Sequence, residues 1–158
     1  MHPNKQLIER FYKAFQEGNY RVMQECYHPQ GSFNDPVFVQ LSSAEAKAMW
    51  HMLVTSAVDL KITFRDAVAN DSRGSVRWEG RYTFSRTGRK VHNIIAAEME
   101  FRDGRIFRHN DSFDFWRWSR MALGTRGVLL GWTPLVQNKV RSTARRALDK
   151  FMKERAAA

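Results

Sequence analysis

Near residue 60 the apolar period of this chain changes from about 3.6 to about 2, and that switch limits what it can fold into. Before it, Leu7, Phe11, Ala14 and Phe15 recur at helical spacing over residues 4–17, with Ile8 and Tyr12 beside them, and Gly18-Asn19 stops the run. A short second helix is expected from about Tyr20 to Tyr27, with Val22, Met23, Cys26 and Tyr27 on its apolar side. The turn-rich stretch from His28 to Pro36 holds a brief strand candidate around Ser32-Phe33. Ser42 then caps a third helix that runs to about Val54, with Glu45 three residues on completing a capping box.

After the switch, Leu60, Ile62 and Phe64 alternate with Lys61, Thr63 and Arg65, and Val76, Trp78, Gly80, Tyr82 and Phe84 alternate with polar residues. Thr87-Gly88 turns into a third strand, Val91 to Phe101, and Asp103-Gly104 into a fourth, Arg105 to Phe115. A two-residue first loop pairs Phe84 with Val91. A three-residue second loop, Arg102 to Gly104, pairs Ala97 with His109 and Ile95 with Asp111. That register keeps Asn93, Ile95, Ala97, Met99, Phe107, His109, Asp111 and Phe113 on one face, where a slip of one residue would mix core with charge. The expected class is α+β: a cone-shaped curved antiparallel sheet packed on three N-terminal helices, with a C-terminal helical extension. A bent sheet closed by helices leaves a cavity suited to a ligand.

The chain divides into a cone domain, residues 1–120, and a C-terminal arm, 121–158, with a basic amphipathic helix. Thr133 caps that helix, Pro134 opens it, and Val136, Val140, Ala144, Ala147, Leu148 and Phe151 form its apolar stripe. Lys plus Arg is 26 against 16 acids, a net charge of +10, and residues 139–155 hold +5 of it. A solvated basic face accounts for this, so contact with nucleic acid or a membrane through the helix is not expected. The arm is read as packing on its own domain or on a second subunit. One cysteine, Cys26, excludes an intrachain disulfide framework. The N-terminus lacks the apolar core of a signal peptide, and a cytoplasmic protein is expected.

The polar residues on the inward face carry the candidate chemistry. Asp111 sits among Phe107, Phe113, Ile95 and Met99, where a carboxylate is costly to ionise unless paired or solvated. General acid–base catalysis uses such a group. The bland alternative is a structural carboxylate bonded to a helix-end amide or to His109. His109, two residues earlier on the same face, is its candidate partner. Pro36 forces Asp35 into an extended conformation that aims its carboxylate at the cavity mouth, although an Asx turn has the same signature. Trp78, Tyr82, Asn93, Ile95, Phe113 and Trp50 are the candidate ligand-binding residues. No metal set is expected from His109 and Asp111 alone.

Four segments in order resemble the nuclear transport factor 2-like superfamily, specifically its SnoaL-like branch. They are residues 11–19 (Phe-Tyr-Lys-Ala-Phe-Gln-Glu-Gly-Asn), 33–37 (Phe-Asn-Asp-Pro-Val), 101–106 (Phe-Arg-Asp-Gly-Arg-Ile) and 111–114 (Asp-Ser-Phe-Asp). The resemblance covers residues 5 to about 120 and implies a cone with a deep apolar cavity, and a homodimer paired through the sheets. Against ketosteroid isomerase, Asp35 matches the base, but Phe11 and Ala97 stand where its oxyanion hole needs a Tyr and an Asp. Tyr12, one residue off, is expected to point elsewhere. Against limonene epoxide hydrolase, Asp111 matches the strand Asp, but Trp78 and Gly80 stand where its partners would be. SnoaL-like cyclases manage with one Asp. The expectation is a protein that binds a small apolar molecule, polycyclic or terpenoid-like, and serves as a cofactor-free isomerase, cyclase or hydrolase with Asp111 as acid–base. The alternatives are a non-catalytic binding module and an interaction module with a basic helix.

Overall fold

Each of the first three helices starts where the sequence supplies a cap. The computed structural model describes residues 1–158. Helix α1 (Pro3–Gln16) begins with the His2 imidazole accepting from the Asn4 N–H and Pro3 in the first turn. Asn19 caps α2 (Tyr20–Glu25). The expected capping box is present at α3 (Ser43–Ser56), with Ser42 and Glu45 each accepting the other's backbone N–H. Helix α2 is shorter than expected. His28 precedes Pro29 and is biased toward extended backbone, so Tyr27 leaves the helix and opens strand β1 (Tyr27–Asn34).

Strands β2 (Leu41–Ser42), β3 (Lys61–Ala69), β4 (Arg73–Phe84), β5 (Arg89–Arg102) and β6 (Arg105–Ser112) complete a curled, unclosed sheet of order β2-β1-β6-β5-β4-β3. Its neighbours are antiparallel except β1 and β6, a parallel pair that local sequence did not reveal.

Both hairpin registers differ from expectation, and both for reasons of backbone conformation. The first loop has four residues, Ser85 to Gly88, because Phe84 pairs with Arg89 and Tyr82 with Val91. A two-residue type I′ turn needs positive φ at both positions; Gly88 has it and β-branched Thr87 does not. The ladder moves by two residues, so no side chain changes face. At the second turn Asp103 (φ 53°) and Gly104 (φ 70°) both adopt positive φ, and the loop shrinks to two residues. Phe107 is then an extra residue: Phe101 pairs with Ile106, but Glu100 pairs with Arg108. Beyond this bulge Met99 faces His109 and Ala97 faces Asp111. The inward set is therefore the expected one, except that Ile106 takes the core place assigned to Phe107. The Phe107 ring instead lies against His28 and under the Arg102 guanidinium, 3.7 Å away.

Strand β6 ends at Ser112 rather than Phe115, because Asp114 accepts from the Arg117 N–H (3.0 Å) and caps helix α4 (Phe115–Leu123). Helices α5 (Thr125–Leu130) and α6 (Pro134–Ala156) follow. Helix α6 packs on its own domain. Leu148 is wholly buried, Arg141 Nε donates to the Pro36 carbonyl (2.8 Å), and Arg145 binds the Glu45 carboxylate. Ala147, expected in the apolar stripe, is exposed.

Two apolar clusters result. One gathers Phe11, Phe15, Phe33, Trp50, Val76, Met99 and their neighbours. The other, around the β4–β5 hairpin, joins Val91, Phe115, Trp118 and Ala122 to Val37, Tyr82, Phe113, Val136 and Val140. Asn93 and Ile95 are buried between them and belong to neither.

Candidate functional site

The two-residue period of β6 points His109 and Asp111 to the same inner face, where they are 2% and 3% exposed. His109 Nε2 lies 2.8 Å from Asp111 Oδ1, and its Nδ1 lies 2.7 Å from the Tyr27 hydroxyl. Trp50 Nε1 donates to that same hydroxyl at 3.0 Å. An indole nitrogen only donates, so the Tyr27 oxygen receives from Trp50; a carboxylate only accepts, so with the imidazole proton on Nε2 the Tyr27 proton goes to His109 Nδ1. The imidazole then carries its proton on Nε2 and donates it to the Asp111 carboxylate. Phe11 and Phe33 meet the imidazole edge-on at 5.7 and 4.9 Å, and Trp50 stacks on it at 5.9 Å. This aromatic wall keeps water from the chain of bonds. Asp111 Oδ2 makes no hydrogen bond within the chain.

Two further polar atoms are buried without partners: the Tyr12 hydroxyl and Trp78 Nε1, on rings 6.0 Å apart. A buried, unpaired donor costs about 1–3 kcal/mol. Burial holds the Tyr12 hydroxyl well above its ordinary pKa, and the Asp111 charge pushes it further. Tyr27 is raised by burial too, with the Trp50 bond opposing and Asp111 adding. Tyr12 does not point elsewhere as expected. It lies four residues after Ile8, one helical turn along the same buried face, and its hydroxyl comes within electrostatic reach of Asp111.

Asp35 is half-buried. Its Oδ1 accepts the Val37 and Phe38 N–H groups at 2.7 and 2.6 Å, which is an Asx turn. Burial raises its carboxyl to about 7 against the Phe38 bond; the Asp111 charge raises it as well, while the Val37 bond and Arg141 lower it. The Tyr82 hydroxyl accepts from Trp118 Nε1 (2.8 Å) and is raised by burial, with the Trp118 bond opposing and Asp35 adding. Asp35, Asp111, Tyr12 and Tyr82 thus share one electrostatic neighbourhood.

The other candidate residues divide. Trp78 and Ile95 face each other across β4 and β5, and Asn93 faces Gly80. Phe113 is half-buried against the second cluster. Trp50 is packed between Phe11, Phe15 and Phe33 with its N–H committed to Tyr27. Tyr12 and Tyr27 are the residues beside His109 and Asp111 that the sequence did not single out as site candidates. The Ile8–Tyr12 spacing was the available signal for the first; Pro29 was the signal for the second. Two surface concavities lie elsewhere, one on α1 and α2 and one on the outer sheet face beside Arg73, Glu100 and Arg108.

Comparison with curated proteins finds no sequence match. Among solved structures, TerC co-crystallised with polyporic acid superposes with a TM-score of 0.65 at 20% identity, over 76% of this chain and 98% of that one. An LEH-like epoxide hydrolase from M. tuberculosis gives 0.63 at 15% identity, over 80% and 92%. IdmH from Streptomyces antibioticus, to which a polyketide cyclase role is ascribed, gives 0.62 at 21% identity, over 74% and 96%. At these identities the likeness is one of fold. TerC is matched almost end to end while 76% of this chain is used, so about a quarter of the chain has no counterpart there. A family model described as SnoaL-like domain matches residues 8–109, from the first helix to His109. The match covers nearly two thirds of the sequence, from α1 into β6, and this chain belongs to that family.

Proposed function

We propose that the cone holds a small, largely apolar molecule with a polar handle, and that Asp111 and Asp35 move a proton on it in an isomerisation, cyclisation or hydration. The observation that carries this is the set of hydrogen-bonding groups left open in an otherwise apolar interior: Asp111 Oδ2, the Tyr12 hydroxyl and Trp78 Nε1. A folded chain tolerates unpaired buried donors poorly, and a ligand acceptor would satisfy them.

The two carboxyls suit opposite roles. Asp111, receiving the His109 N–H, is the base. Asp35, with its carboxyl raised to about 7, is an acid near neutral pH. Neutral Tyr12 donates to the oxygen where charge collects. His109, wholly engaged by Tyr27 and Asp111, is a positioning residue. TerC was crystallised with polyporic acid and IdmH is ascribed polyketide cyclisation, which supports a polyketide-like ligand class.

A binding module without chemistry is the second reading. It is favoured by the Asx turn that occupies Asp35 Oδ1 and by the full engagement of both His109 nitrogens. The test is to identify the co-purifying ligand by mass spectrometry and assay its conversion by wild type and Asp111→Asn. Retained binding with turnover reduced at least about a hundredfold supports catalysis. Tight binding with no turnover in either protein makes it a module, and no binding by either overturns both readings.

A further inference from the structure

The arm carries a surface that the cone chemistry does not use. The segment from α5 into the first turn of α6, residues 125–135, is amphipathic in reverse. Its small residues face inward: Gly127 and Gly131 are buried against α4, and a Cβ on Gly127 would stand 1.9 Å from the Ser119 carbonyl oxygen. Its large residues face out. Leu129 and Trp132 are each 63% exposed and Leu135 is 75% exposed, with Val128 and Leu130 beside them. The one polar atom of the Trp132 ring donates to the Leu129 carbonyl (3.1 Å), so the indole stands out as apolar surface. Single exposed apolar residues are ordinary; five within eight consecutive positions, held outward by glycine packing, are an interaction surface.

The charge around it selects the partner. Residues 115–148 contain seven Arg and Lys and no Asp or Glu; Arg117, Arg141 and Arg145 are engaged by His92, Pro36 and Glu45, which leaves Arg126 and Lys139 as the exposed cations beside the patch. Arg126 lies within α5, and Lys139 follows Leu135 by one turn on the same exposed face of α6. We propose that this α5–α6 tip docks on the surface of an anionic lipid bilayer. The apolar side chains enter the headgroup boundary, and Arg126 and Lys139 meet lipid phosphates. No helix here is long and apolar enough to cross a membrane, so contact is with one leaflet. A second copy of the chain would bring the same positive charge against the tip. A nucleic acid would satisfy the charge and leave the leucines in water.

The test uses the full chain with sucrose-loaded vesicles of phosphatidylcholine alone or mixed three to one with phosphatidylglycerol, at roughly 0.1 M salt. Wild type should sediment with the anionic vesicles about tenfold more strongly than with the neutral ones. The triple variant Leu129→Ser, Trp132→Ser, Leu135→Ser, which keeps every charge, should lose about tenfold on the anionic vesicles with its melting unchanged. Arg126→Gln with Lys139→Gln should lose binding in part. Absence of binding to either vesicle overturns the proposal, as does equal binding by the triple variant. It is also overturned if the serine substitutions abolish a dimer seen by sedimentation velocity, or if DNA competes the vesicles away and binds the triple variant as well as wild type.

Discussion

Asp35→Asn separates charge from geometry at the Asx turn that follows β1. The carboxyl is raised from 3.8 to about 7 by burial and by the nearby charge of Asp111. Between those two values the folded protein holds a proton that the unfolded chain has released, so stability falls as pH rises through that window. Three units would cost about 4 kcal/mol at most, at about 1.4 kcal/mol per unit. Asp35 keeps some solvent contact, which discounts this to roughly 1–2 kcal/mol. An asparagine retains the oxygen that accepts the Val37 and Phe38 N–H groups and removes the charge. Wild type and variant should therefore be equally stable below about pH 4. Above about pH 7 the variant should be the more stable by roughly 1–2 kcal/mol. Urea unfolding of both proteins from about pH 4.5 to about pH 8.5 gives a difference curve in which the other carboxyls cancel. A flat difference curve, or a variant that is weaker at high pH, would refute the account of Asp35 as a carboxyl held in its acid form.

Tyr27→Phe deletes the hydroxyl that receives from Trp50 and donates to His109, leaving two buried groups unpaired; urea unfolding should register a loss of about 2–5 kcal/mol, and a loss below about 1 kcal/mol would mean the bonds are not made. Tyr12→Phe acts in the opposite sense. Removing a buried hydroxyl that has no partner should stabilise the ligand-free protein by about 1 kcal/mol while weakening ligand binding, and a fall in melting temperature would show that the hydroxyl is already satisfied.

Much of this architecture is legible in local chemistry. Ser42 and Glu45 mark the start of α3, and the alternation along β5 and β6 brings His109 and Asp111 to one face whatever the loop length, provided slips come in twos. The fold class follows from the switch in period. What local patterning misses is what distant contacts decide. The parallel pairing of β1 with β6 joins residues far apart in sequence, and it makes Tyr27 a hydrogen-bond partner of His109 rather than the end of a helix. The Phe107 bulge depends on Asp103 accepting positive φ, which a hairpin of different length would not have required. The resemblance to ketosteroid isomerase puts Phe11 rather than Tyr12 at the oxyanion position, whereas the four-residue spacing to Ile8 turns Tyr12 onto the buried face of α1. The outward leucines of α5 are visible as residues, but their exposure is set by how closely two glycines let α5 approach Ser119.

The row Asp111, His109, Tyr27, Trp50 is closed at one end. An indole cannot take up a proton, so charge that reaches the carboxylate has no relay through the protein to bulk water on that side. On the proposed reading of Asp111 as the base, a proton it accepts has to be handed back into the cone. On that same reading, a hydrogen isotope lifted from a bound molecule would be sheltered from the medium, and the deuterium content of a product formed in heavy water would record how well the far end is sealed.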